Sequence, residues 1–113
     1  MNTPPIDIQP DHWQIVHSIL QRHVPQLMIW VFGSRARGTA RRYSDLDLAI
    51  MTEQPLSLEV SAVLADEFSE SDLPYRVDVI DWAATSASFR EIIQRQKVVV
   101  VAAMKNGKES ITL

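Results

Sequence analysis

The chain has 113 residues, 46% of them hydrophobic, no cysteine and a formal net charge of -3. That length suits one domain with a modest core, and the missing cysteines exclude disulfides, thiolate zinc centres and cysteine nucleophiles, leaving oxygen or imidazole for any metal. The negative balance speaks against a nucleic-acid binder working through its overall field. No apolar run approaches the roughly 20 residues that span a bilayer, and MNTPPIDIQP has neither the basic start nor the apolar stretch of a secretion signal, so the expectation is a cytoplasmic protein without a membrane partner.

Residues 1–10 carry three prolines and no periodicity and read as a loose lead-in. Pro10 and Asp11 open a helix in which Trp13, Val16, Leu20 and Val24 form one apolar stripe, widened by Ile15 and Ile19 and stopped by Pro25. LMIWVF, residues 27–32, reads as a buried strand ending at Gly33. DLDLAIM, residues 45–51, alternates Leu46, Leu48 and Ile50 with Asp45, Asp47 and Ala49, which predicts a second strand with an acidic face. Leu58, Val60, Val63, Leu64 and Phe68 have helical spacing over residues 57–68, and SESDLP supplies the stop. YRVDVID, residues 75–81, predicts a third strand with Val77 and Val79 on one face and Arg76, Asp78 and Ile80 on the other. A helix follows in SASFREIIQRQ, with Ser88 and Glu91 at capping-box spacing. The valines at 98–101 fit either a fourth strand or a helix end, and residues 105–113 read as a polar, mobile tail. Together these elements predict an α+β fold, a small mixed β-sheet packed with helices, in one domain over residues 1–113.

VFGSRARGTARRYSDLDLAI, residues 31–50, gathers unlike charge between two apolar runs. Side chains alternate across a strand, so Asp45 and Asp47 point to the same face about 6 to 7 Å apart, and ordinary pairing brings Asp78 of the next strand beside them. Three carboxylates sharing a pocket call for a hard divalent cation, and Mg²⁺ takes a few carboxylates together with phosphate oxygens. Gly33 and Ser34 stand where a strand gives way to a short turn whose N–H groups and hydroxyl suit an anion. One nucleoside triphosphate, with its phosphates on that turn and its magnesium on the acids, matches both sets of charges.

A strand, GS, the intervening residues 35–44, then DLD on a second strand resembles the signature of the DNA polymerase β-like nucleotidyltransferase superfamily. More narrowly, FGSRARG followed by YSDLDLAI resembles the minimal nucleotidyltransferases, the antitoxin half of prokaryotic HEPN–MNT toxin–antitoxin pairs. The resemblance also takes in the first helix, VDVIDW with its third acid, and the helix that follows. It implies that Asp45, Asp47 and Asp78 hold Mg²⁺ in a two-metal site, that Asp78 helps to activate the attacking group, and that Gly33 and Ser34 hold the β- and γ-phosphates of ATP. Arg35 and Arg37 rank above Arg41 and Arg42 as further phosphate contacts. The implied partner is a HEPN ribonuclease toxin in a hetero-oligomer, and the implied reaction moves AMP from ATP to one of its tyrosine hydroxyls. Two rivals are a non-catalytic antitoxin that neutralises by binding and an aminoglycoside-like transferase acting on a small molecule.

Several residues have plainer readings. Asp81 falls where a turn begins, so capping is its expected task. His12, His17 and His23 recur at gaps of five and six rather than the three or four of helical metal pairs, and read as surface or half-buried residues. Arg41 and Arg42 suit a solvated face, and with Tyr43 the sole aromatic among them a nucleic-acid platform is not expected. Trp13 and Trp30 belong to the core, while Trp82 and the valines are candidates for a partner-facing surface.

Overall fold

A computed structural model of the chain describes residues 3–102. Helix α1 (Pro10–His23) leads into strand β1 (Ile29–Phe32), a one-turn helix α2 (Ser34–Arg37), β2 (Leu46–Ile50), α3 (Leu58–Glu70), β3 (Val77–Asp81), a 3₁₀ turn (Trp82–Ala84), α4 (Ala87–Gln96) and β4 (Val98–Val101). The strands form one sheet in the order β3-β2-β1-β4. β1 runs antiparallel to both β2 and β4, whereas β2 and β3 are parallel. Parallel neighbours need a crossover, and the amphipathic α3 provides it. The mixed sheet expected from the sequence is the one that forms, and the valines at 98–101 resolve as a strand.

Alternation along each strand divides the interior in two. Ile29, Val31, Leu46, Leu48 and Ile50 point to one face, where Trp13, Val16 and Leu20 of α1 and Leu64 and Phe68 of α3 cover them. Trp30, Phe32 and Ala49 point to the other, where they meet Ile93 of α4. Leu46, Leu48 and Ile50 are fully buried. The first layer is therefore the main source of hydrophobic stabilisation, and the thinner second layer leaves room at one end of the sheet for polar groups.

Helix ends follow local chemistry. Pro10 sits in the first turn of α1, where a missing N–H does no harm, and Ser57 caps α3 by accepting from the Val60 N–H at 3.1 Å. The expected Ser88–Glu91 box is not used: Ser86 caps α4, accepting from the Phe89 N–H at 3.2 Å. The reason lies upstream, where the Asp81 carboxylate accepts from the Ala83 N–H at 3.2 Å and the Thr85 hydroxyl donates to the Asp81 carbonyl at 2.8 Å. That tight turn lets the helix start before Ser88 is reached.

The lead-in, expected to be loose, lacks regular structure before Pro10 but is tied down. Ile6 and Ile8 pack against the main core, and Asp7 donates its N–H to the Arg35 carbonyl at 2.8 Å. The tail expected over residues 105–113 lies outside the described residues. Among the described residues no helix is long and apolar enough to cross a membrane.

Candidate active site

The register of the sheet sets the site. Phe32 of β1 pairs with Asp47 of β2, and Asp47 pairs with Asp78 of β3, so two carboxylates stand side by side in one cross-strand row. Asp45 lies just ahead of β2 and is joined to the row through Arg76, whose Nη2 is 3.4 Å from Asp45 Oδ2 and 3.1 Å from Asp78 Oδ2. Arg76 thus ties Asp45 to Asp78, the cross-strand partner of Asp47. Arg76 shares the Asp78 face, as the alternation in YRVDVID predicts, and no sequence motif marks it as part of the site.

Asp47 is the inner member. Burial raises its pKa to about 6, the charges of Asp78 and Asp45 add to that effect, and Arg76 opposes it. A half-buried carboxylate beside two others carries an unfavourable charge interaction, which the Arg76 guanidinium partly offsets.

Gly33 closes the site from the β1 side. Its φ of 77° and ψ of -160° lie in a region that only glycine occupies readily. A Cβ added there would collide with Asp47 Oδ2 and come within 3.1 Å of Asp47 Cγ. The glycine turn and the acidic strand are therefore in direct apposition, as the one-ligand reading requires. The Gly33 N–H, however, is engaged: it donates to Gln96 Oε1 at the end of α4, at 3.0 Å. Ser34 opens α2 half-exposed, and its hydroxyl has no protein partner among the described residues.

Arg35, expected at the nucleotide, is engaged with the backbone. It is buried, and its guanidinium donates to three backbone carbonyls: Ser44 at 3.0 Å, Asp7 at 2.7 Å and Arg42 at 3.1 Å. Its Cζ also sits 3.9 Å from the centre of the Tyr75 ring. A planar fork of fixed donors suits that work, gathering the lead-in, the arginine loop and the start of β3. Arg37, at the last position of α2, is exposed, as are Arg41 and Arg42, and Arg42 rests 5.4 Å from the Tyr43 ring centre.

The plainer readings stand as expected for Asp81 and the histidines. Asp81 takes hydrogen bonds from the Thr52 hydroxyl, the Leu56 N–H at 2.6 Å and the Ala83 N–H, and so fastens the loop after β2 to the end of β3. His12 meets the Tyr75 hydroxyl at 3.2 Å, His17 lies against Trp13, and His23 pairs with Glu67 of α3. Trp82 is half-buried edge-on to Trp30 with Arg90 over its ring.

The donor set fits magnesium: three carboxylates supply hard oxygen ligands, and no softer ligand stands among them. As the side chains stand, no three carboxylate or imidazole groups among the described residues are close enough together to hold one ion.

A family model described as polymerase beta, nucleotidyltransferase, matches residues 14–106. The probable protein adenylyltransferase MntA of Haemophilus influenzae is 53% identical over 95 residues, covering 84% of this chain and 83% of that protein. Among crystal structures, a toxin–antitoxin with AMP-PNP superposes with a TM-score of 0.67 at 26% identity, over 86% of this chain and 77% of the other. A mutant of the toxin–antitoxin MntA–HpeT gives 0.66 at 25% identity, over 90% and 80%. With its acids paired across β2 and β3, the glycine turn laid against them and a match over most of its length, the chain belongs to the polymerase β-type nucleotidyltransferase family.

Proposed function

We propose that the protein is an adenylyltransferase that moves AMP from ATP to a tyrosine hydroxyl of a HEPN-type toxin, and that it acts in this way as the antitoxin. The observation that carries this reading is the apposition of Gly33 to Asp47, with Asp78 paired beside it, which supports one binding place for phosphates and carboxylate-bound magnesium together. The 53% identical relative, itself named a probable protein adenylyltransferase, supports the choice of a protein as acceptor.

In this reading Asp45, Asp47 and Asp78 hold Mg²⁺, and Ser34 with the Gly33 turn receives the β- and γ-phosphates. The bound cation supplies neutralisation of the carboxylates and polarisation of phosphate and hydroxyl oxygens. Asp78 lies on the edge strand with its side chain 41% exposed, which suits a carboxylate that meets an incoming hydroxyl and accepts its proton. The tyrosine oxygen bonds to the α-phosphorus as the α–β bridging bond breaks, and pyrophosphate leaves. Arg37 is the member of the predicted arginine pair that is exposed, which favours it over the buried Arg35 for the phosphate role.

The test uses α-labelled ATP, Mg²⁺ and the HEPN protein that copurifies with this chain. Label is expected on the partner with the wild type and absent with the Asp45→Asn, Asp47→Asn double variant. Equal labelling by both would overturn the catalytic assignment. Neutralisation by the double variant in cells, with no label transferred, would favour the binding-only antitoxin.

A further inference from the structure

Nothing in the proposed reaction explains Arg76. A single nitrogen, Nη2, reaches both Asp45 Oδ2 and Asp78 Oδ2, at 3.4 and 3.1 Å, and so links the acid just ahead of β2 to the acid on β3. The Arg76 side chain is 71% exposed and the two carboxylates 44% and 41%. A pair this open to water is held by geometry, not by burial, and exchanges readily. β3 is an edge strand, so the long side chain has open solvent to withdraw into.

The two oxygens that Arg76 engages are also ones that a divalent ion would use. Guanidinium stays charged at any working pH and carries donors alone, so it cannot vacate the site by losing a proton. Magnesium demands carboxylate oxygens at about 2.0–2.1 Å, and a second cation held on the same carboxylates repels it.

We propose that Arg76 is the resident counter-ion of Asp45 and Asp78, holding these carboxylates together when no divalent cation is bound and giving them up when one binds. This inference rests on the reading of Asp45, Asp47 and Asp78 as metal ligands. It gives Arg76 two effects of opposite sign: it steadies the acidic cluster against its own repulsion, and it weakens binding of a bare cation. Metal accompanied by a triphosphate, with its own negative charge, is thereby favoured over metal alone.

The experiment measures Mn²⁺ binding to the full chain without nucleotide, by the loss of the free-ion resonance signal at low salt, alongside melting curves with and without Mn²⁺. Arg76→Met is expected to bind Mn²⁺ several-fold tighter than wild type, to melt at a lower temperature without metal, and to gain more from its addition. Arg76→Lys keeps the charge and is expected to stay near wild type. Added salt should shrink the difference between Arg76→Met and wild type, because the competing ion pair is exposed. Unchanged or weaker Mn²⁺ binding by Arg76→Met, with a normal melt, overturns the inference. If the Asp45→Asn, Asp47→Asn double variant binds Mn²⁺ as well as wild type does, the ligand reading falls and this inference with it; if it loses binding while Arg76→Met matches wild type, only the role of Arg76 falls.

Discussion

Gly33 and Asp47 constrain each other. Any side chain at position 33 meets both an unfavourable backbone region and the Asp47 carboxylate, so Gly33→Ala is expected to lose about 1–3 kcal/mol of stability together with transferase activity. Urea melts and label transfer check the two effects. Asp47 itself has a raised pKa of about 6 in the fold against an ordinary value of 3.8. Between those values the folded chain binds more protons than the unfolded one, so stability without divalent metal falls as pH rises from about 4 to about 6, and the loss is complete above that. Asp47→Asn is expected to flatten this slope and to raise the melting temperature at pH 7 relative to wild type; an unchanged pH profile would refute the assignment. Arg35 calls for the opposite expectation from a phosphate ligand. Arg35→Met leaves three carbonyls without their donor and should cost about 1–3 kcal/mol, while the protein that remains folded binds ATP with little change.

At the level of elements, the stretches with clear periodicity were legible: α1, α3, β2 and β3 fall where their patterns place them, because each buries one face and the spacing of apolar residues records it. The short turn after β1 was legible too, since Gly33 and Ser34 mark it. What stayed hidden depends on contacts far apart in the chain. Gln96 holds the Gly33 N–H across 63 positions, and no local pattern announces that. The burial of Arg35 depends on the lead-in folding back onto α2, which a proline-rich stretch without periodicity does not suggest. The start of α4 was misplaced because two serines compete for the cap and the turn made by Asp81 chooses between them. Two element-scale predictions follow from this packing. Leu48→Ala, in the middle of β2 and fully buried against α1 and α3, is expected to destabilise by about 2–5 kcal/mol in chemical denaturation. Gln96→Ala should loosen the glycine turn, weakening ATP binding with a smaller effect on the melting temperature.

Taken as a whole, the molecule separates stability from chemistry. The core between the sheet and the α1–α3 layer lies on the face opposite the acids, while the site occupies the end of the other face, beside the thinner cluster around Trp30 and Ile93. Phe89, Ile92 and Val99 are exposed on α4 and β4, and the sequence had marked the valines for contact with another protein. The third acid arrives through the parallel crossover: GS and DLD lie on β1–β2, whereas Asp78 comes only after α3 has carried the chain over the sheet. The motif that identifies the family can therefore be present in a polypeptide that has no complete set of acids. A gene divided in the exposed segment at Glu53 and Gln54 would leave Asp45 and Asp47 on one piece and Asp78 on the other.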